Sequence, residues 1–415
     1  MLINLYIEKW QNGYPIPNGA DSIPDADYTD FGSVIHSVRK SNLETSFNEI
    51  FHHASYRGDG LIECFKYNDI EIISTNKILP NARNFYVIFA KTHFEDLHEY
   101  FDKFDIQLNK GFDLLFINFH ESGTYNRFYK WVNDNPNKNK IFTISPSYNL
   151  DEFVNCNNIF FPYHLYDIDR NFKIDGNYPV CTIDDYTNTT KEKTFLSFNR
   201  NAKRFHRLYF YEMCKELNLI DSNYVSFLEF QDKEIVRTHN ILDIYPNLKT
   251  YKHNYLNSEH TQIALDISSD MPYGEYDEKS HNWNNNKEYY AKSNFSIVTE
   301  TMFFENEIML TEKILRPIAN AHPFILIGPK HGYKILKEAG YEICNLIDYE
   351  YIDNISNPFS RLEAIITECK KLFYNLESKN KSSIFIDIQK HNQYKLLNTK
   401  KEDVFYELYC KLYKK

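Results

Sequence analysis

Three short stretches concentrate the residue types that do chemistry. The first, His120-Glu121-Ser122-Gly123, directly follows the apolar run Asp113 to Phe119. A carboxylate and an imidazole at the end of a buried strand stand where a general base is useful, because partial burial raises a carboxyl pKa toward neutral pH. Glu121 equally suits a plain cap for a helix beginning near Tyr125. The second stretch is Phe195 to Arg207, FLSFNRNAKRFHR, in which a strand ends at Asn199 and Arg200, Lys203, Arg204, His206 and Arg207 gather where a helix starts. Basic side chains beside free backbone N–H groups bind an anion such as a diphosphate, although a solvated basic turn has the same composition. The third runs from Ser296 to Arg316 and delivers Glu300 at a strand end, then Thr311-Glu312-Lys313 at a helix start. Carboxylates there can hold ribose or sugar hydroxyls, and a lysine can hold phosphate. Thr311 also has the makings of an ordinary N-cap with Glu312 in the first turn.

Two acidic pairs carry less. Asp167-Ile168-Asp169 reads as a DxD triplet of the kind that holds a divalent ion against a diphosphate. Asp184-Asp185 lies in a polar stretch and reads as a solvated turn.

The elements that must position these residues follow from short runs rich in β-branched and aromatic side chains. Phe85 to Ala90, Asp113 to Phe119, Lys140 to Ser145 and Asn158 to Phe161 alternate with helical segments at Phe94 to Phe104 and Tyr125 to Val132. Strands of that kind between helices indicate a parallel sheet covered on both faces. The polar segment Ile183 to Lys193 breaks the pattern and reads as a linker. Beyond it come strands at Thr194 to Phe198, Tyr224 to Phe227, Phe295 to Thr299 and Pro323 to Gly328, with helices at about Phe205 to Leu219, Glu312 to Asn320 and His331 to Ala339. The first 80 residues look irregular, Pro272 to Lys292 looks like a polar surface excursion, and Pro358 to Leu376 and Ser383 to Leu412 are amphipathic helices. The fold class is therefore α/β, with two halves and C-terminal helices. Ligands of such sheets bind at the carboxyl ends of the strands, where all three stretches fall.

Composition bounds the rest. The chain has 415 residues, enough for about two or three domains. With 47 Lys and Arg against 57 Asp and Glu, the net charge of -10 disfavours general binding of polyanions. Aromatics reach 16% through 33 Tyr and 32 Phe, either as stacking platforms for bases or sugars or as an AT-rich coding bias that fills cores with Phe and Tyr. Seven scattered cysteines, Cys64, Cys156, Cys181, Cys214, Cys344, Cys369 and Cys410, fit reduced thiols better than a disulfide framework or a zinc site. With neither a signal segment nor a run of ~18 apolar residues, the chain reads as soluble and cytoplasmic.

The order of the pieces resembles the α1,3-fucosyltransferase group of glycosyltransferases, and related glycosyltransferase-like proteins of phages and large viruses. The matching pieces are NFHES, the FxPY segment Phe160 to Tyr163, FLSFNRNAKRFHRLYFYEM, Glu300 at a strand end, the TEK triplet Thr311 to Lys313, and the apolar strand ending at Gly328-Pro329. Together they span Asp113 to Pro329. The compact spacing from Glu300 to the TEK triplet and the extra His120 depart from the group's pattern.

The resemblance implies two Rossmann-like domains facing across a cleft, the GT-B arrangement. Residues 1–185 would form the acceptor side, 190–375 the nucleotide-sugar-binding domain and 376–415 a helical extension. It implies an inverting glycosyltransferase that moves a sugar from a GDP- or UDP-linked donor to a hydroxyl acceptor. Glu121, or His120, would deprotonate the acceptor. Arg207 and Lys313, with Asn199, Arg200, Arg204 and Thr311 around them, would hold the donor diphosphate, and Glu300 and Glu312 its ribose or sugar. In a two-Rossmann enzyme positive side chains neutralise the diphosphate, so no cofactor or metal is required and Asp167 and Asp169 are only weak metal candidates.

The acceptor could be a glycan, a protein, or a hydroxymethylated base in viral DNA. The last would use the aromatic surplus and the basic tail Lys400, Lys401, Lys411, Lys414 and Lys415, against the acidic net charge. A catalytically silent nucleotide- or glycan-binding protein on the same scaffold is the alternative from another class. Tyr209, Phe210 and Tyr211 read as packing, and Tyr289 and Tyr290 as candidates for stacking on an acceptor.

Overall fold

The computed structural model describes residues 2–6, 10–11, 14–15, 71–73, 76–90, 101–118, 126–162, 165, 180–199, 204–227, 287–304, 307–375, 382–399 and 410–411. The chain divides into two compact units, residues 1–167 with 399–415, and residues 168–398. The division thus falls between 167 and 168 rather than near 190, and the helix expected as part of a separate C-terminal extension belongs to the second unit.

In the first unit six strands form one wholly parallel sheet: β1 (Leu2–Tyr6), β2 (Glu71–Ile73), β3 (Ala82–Ala90), β4 (Asp113–Asn118), β5 (Ile141–Ser145) and β6 (Asn157–Phe160), in the order β2-β1-β3-β4-β5-β6. Helices α1 (Phe101–Lys110) and α2 (Asn126–Asp134) follow β3 and β4. The near-continuous apolar runs are what a sheet buried on both faces demands, and β5 is buried along its whole length. The aromatic surplus fills this core: Phe116 stacks on Phe128 with centroids 4.2 Å apart, and Phe101 on Trp131 at 5.1 Å. The N-terminal expectation of irregular chain is corrected by β1, which sits inside the sheet between β2 and β3. Its five residues are too short to show a periodicity against the Pro-rich chain that follows. Asn4 interrupts the apolar run, yet it is fully buried because its amide donates to Lys77 O and to Asn84 Oδ1, both at 2.9 Å.

Among the described residues the first element of the second unit is α3 (Ile183–Asn188), where the sequence suggested a linker. Its start is a capping box: Thr182 accepts from Asp185 N, and the Asp185 carboxylate accepts from Thr182 N. The Asp185 carboxyl is held below its ordinary range by those bonds, so Asp185 closes a capping box and Asp184 lies in the first turn of a helix rather than in a solvated turn. There follow β7 (Lys193–Asn199), α4 (Phe205–Glu216), β8 (Tyr224–Phe227), α5 (Lys287–Ala291), β9 (Ser293–Thr299), a 3-10 turn (Glu312–Ile314), α6 (Leu315–Ala319), β10 (Phe324–Ile327), α7 (Gly332–Glu338), α8 (Tyr349–Asp353), α9 (Pro358–Asn375) and α10 (Ser382–Asn398). The four strands are all parallel, in the order β8-β7-β9-β10. Both units are therefore α/β, with parallel sheets and intervening helices.

Helix α5 lies within the expected polar excursion. Tyr290 is 2% exposed, packed with Cys181, Tyr186 and Leu196, and Tyr289 packs edge-on against Tyr224. The Tyr290 ring is core material, not a stacking platform, and Tyr289 packs partly buried against the same cluster. Phe210 and Tyr211 are buried as expected, and Tyr209 lies against Phe205 and Phe359. No helix among the described residues is long and apolar enough to cross a membrane.

Candidate functional site

In each sheet the strand order reverses once. In the second unit the chain leaves β7 for β8 on one side, returns to β9 on the other side of β7, and continues outward to β10. The carboxyl ends of β7 and β9 therefore flank a switch point, where connections diverge and leave a crevice. Asn199 ends β7 and Thr299 ends β9, and the Thr299 hydroxyl donates a short hydrogen bond to Asn199 Oδ1 across the junction.

Glu300 is the next residue and is fully buried. Its main chain stays in the sheet, with N–H donating to Ile327 O at 2.9 Å. Its side chain meets the end of β10 so closely that a Cβ on Gly328 would lie 3.2 Å from Glu300 Cγ. Oε2 accepts from Thr301 N and Thr311 N, both at 3.2 Å, and from Thr311 Oγ1 at 2.5 Å. Oε1 has no hydrogen-bond partner among the described residues. Burial raises the Glu300 carboxyl above its ordinary range, against the opposing pull of Lys313 and of the Thr311 bond.

Thr311 stands at the N-cap of the 3-10 turn but makes no side-chain cap bond, because its hydroxyl is given to Glu300. Its Oγ1 in turn accepts from Lys313 Nζ at 3.2 Å, and Lys313 pairs with Glu312 at 3.0 Å. Three residues on two elements thus make one chain of donors, Lys313 to Thr311 to Glu300. Lys313 and Glu312 are its solvent-facing end, with side chains 24% and 16% exposed.

The basic cluster is divided by the structure. Arg207 is 3% exposed, and its guanidinium donates to Thr299 O at 3.2 Å and Glu300 O at 3.1 Å. His206 places Nε2 2.7 Å from Glu300 O, which requires the proton on that nitrogen. Burial, reinforced by the neighbouring Arg207, keeps the His206 ring neutral well below its ordinary pKa. Both residues therefore hold the carboxyl end of β9 from beneath, instead of projecting from the start of α4 as an open anion cluster. Arg204, the N-cap of α4, is only partly buried and makes no side-chain cap bond.

The structure therefore brings Asn199, Arg207, Glu300, Thr311, Glu312 and Lys313 to one edge of one sheet. Glu121, His120, Arg200, Asp167 and Asp169 lie outside the described residues, as does most of the FxPY neighbourhood beyond Pro162. Among the described residues no group of three or more His, Cys, Asp or Glu could hold a metal ion. Sequence reasoning passed over Phe303 and Arg361. Phe303 stacks on the His206 ring at 5.2 Å, and Arg361 of α9 donates to Phe303 O at 3.2 Å and to Gly328 O at 2.9 Å. One signal was available: Arg361 lies on the same helical stripe as the buried Ile365 and Leu372, where a charge is costly.

No protein-family model matches the chain, and neither a curated protein nor a solved structure matches it.

Proposed function

We propose that this chain is an inverting glycosyltransferase whose second unit binds the nucleotide-sugar donor at the carboxyl ends of β7 and β9. The observation that carries the reading is the Lys313–Thr311–Glu300 chain at the switch point. A fully buried carboxylate with one oxygen unpartnered among the described residues is costly to keep, and such a group is retained where a ligand completes it. Glu300 Oε1 is the acceptor for a ribose or sugar hydroxyl, and the partly exposed Lys313 is the positive charge for the diphosphate. Arg207 acts indirectly, by fixing the strand end that carries Glu300. The resemblance of the motif order to the α1,3-fucosyltransferase group supports the same assignment, with the two units in a GT-B arrangement and Glu121 or His120 as the acceptor-side base. The nucleotide sugar is a co-substrate, and the acceptor hydroxyl belongs to a glycan, a protein or a modified base.

The test is a melting-curve screen with GDP, UDP and CMP, followed by donor hydrolysis with the corresponding sugar nucleotides. One diphosphate is expected to raise the melting temperature of the wild-type chain, and Lys313→Ala to remove that rise, measured against the variant's own unliganded melting temperature. If no nucleotide shifts the wild-type curve, the donor site is wrong. Binding without release of nucleoside diphosphate would replace the enzyme by a binding protein on the same scaffold.

A further inference from the structure

Arg361 is 3% exposed and belongs to the first turn of α9, whose start is capped by Asn357 Oδ1 accepting from Ser360 N at 3.0 Å. Its guanidinium is pinned in three directions. One NH2 group donates to Gly328 O at the end of β10, the other to Phe303 O after β9, and the guanidinium carbon sits 4.1 Å from the centroid of the Phe303 ring. Among the described residues no carboxylate lies within ion-pair distance of it, Asp353 being its nearest source of compensating charge. Burial pushes its pKa down to about 10.

A side chain needed only to fill this space would be cheaper as Met or Leu, because a desolvated cation without an ion partner is expensive. What the guanidinium adds is a planar fork that reaches two carbonyls on separate segments while its face stacks on a ring, which no lysine can do. Those segments are the two that bound Glu300. Gly328 packs on Glu300 Cγ, and the Phe303 ring lies on His206, whose Nε2 donates to Glu300 O. The loop after β10 is gripped again by α8, where Asp353 Oδ2 accepts from His331 N at 3.2 Å.

We infer that Arg361 is a positioning residue that locks the segment after β9 to the end of β10 and so sets the geometry in which Glu300 and Thr311 meet a bound nucleoside diphosphate. The inference rests on the donor-site reading above. It concerns a residue of a C-terminal helix, outside all the motifs that support that reading.

The experiment compares full-length wild type, Arg361→Lys and Arg361→Met for circular dichroism, melting temperature and affinity for whichever of GDP, UDP and CMP binds the wild type. Folded Arg361→Lys should bind about tenfold more weakly, the loss of one well-placed charge-assisted hydrogen bond. A structural role alone would lower the melting temperature and leave the affinity of the folded protein unchanged, which would overturn the inference while the donor site stands. Absence of binding by wild type would instead overturn the donor site, and the inference with it. If both variants fail to fold, hydrogen exchange on the wild-type chain decides. Added nucleotide must slow exchange in residues 307–311 and 328–332 together, and protection confined to 311–313 would refute the coupling.

Discussion

The two sheets share a strand order and differ in what they bury. Each places its second strand in chain order outside the first and continues on the other side, as β2-β1-β3-β4 and as β8-β7-β9-β10. Among the described residues of the first unit, every buried polar side chain is neutral: Asn4, Gln107, Asn135, Thr143, Ser145, Ser147, Asn149 and Asn158. Several of these are met by neutral or short-range partners, as when Asn158 donates to Val154 O at 2.7 Å and to Asp151 Oδ1 at 2.6 Å. The second unit buries Arg207, Glu300, Glu307 and Arg361 besides two histidines. Buried charges are costly to desolvate, and three of these four, Arg207, Glu300 and Arg361, lie at or bond to the carboxyl ends of β9 and β10.

The strongest way to break this contrast is to remove a guanidinium from each unit. Arg207→Met should destabilise by about 3 kcal/mol, because Thr299 O and Glu300 O lose a buried charged donor. Arg83→Met in the first unit should cost about 1 kcal/mol or less, since Arg83 is 22% exposed and its pair with Asp113 is 3.7 Å long. Urea unfolding of both variants measures the difference, and equal losses would erase the contrast.

Acid should open the second unit first. His206 and His322 are buried and neutral, His206 well below its ordinary pKa and His322 down to about 3, in both cases through burial. The unfolded chain binds the extra protons, so stability is full above the unfolded value of 6.5 and falls as pH drops below it toward the folded values. Hydrogen exchange from pH 7 to pH 5 should show peptides of β9 and α4 losing protection before those of β4 and β5. The reverse order would place the acid-sensitive charges elsewhere.

Glu300→Gln carries the opposite sign. A carboxyl whose folded pKa is raised costs nothing below its unfolded value near 4.5, and costs progressively more as pH climbs to the folded value. The amide can keep the bonds from Thr301 and Thr311 through its oxygen. At pH 7 the variant should melt about 2–4 °C higher than wild type, with no difference near pH 4, and it should lose nucleotide binding. A melting temperature lower at pH 7 would mean that Glu300 is a structural anchor. A small effect is expected at Gly328, where a Cβ would meet Leu326 Cγ at 3.0 Å and Glu300 Cγ at 3.2 Å. Gly328→Ala should cost about 1 kcal/mol by overpacking and weaken nucleotide binding, both readable in one melting series.

Much of the fold was legible because parallel strands buried on both faces leave unbroken apolar runs, as in IFTIS of β5 and FILI of β10. Where such a run was short or diluted the reading failed. β1 has only LINLY to announce it, and α3 has a six-residue polar sequence that owes its helix to a capping box. Within the candidate site, Glu300, Thr311 and Lys313 were legible from their places at a strand end and a helix start. Their mutual bonds were not, because Thr311 could cap its own turn or serve Glu300 across the sheet, and local sequence is indifferent between the two. Arg361 was hidden for a related reason: its partners are the backbone carbonyls of Phe303 and Gly328, which have no side-chain signature.

By itself, then, the sequence determined the α/β class, the positions of most strands and the residue types at their carboxyl ends, since hydrophobic periodicity and residue chemistry are local properties. Only the tertiary structure decided that β7 and β9 adjoin at a switch point, that Arg207 and His206 turn inward to hold carbonyls while the Lys313 side chain stays partly exposed, and that Arg361 of α9 reaches back to the carbonyls of Phe303 and Gly328. Those outcomes depend on strand order and on which buried polar groups must be satisfied, and neither is encoded in any short stretch of chain.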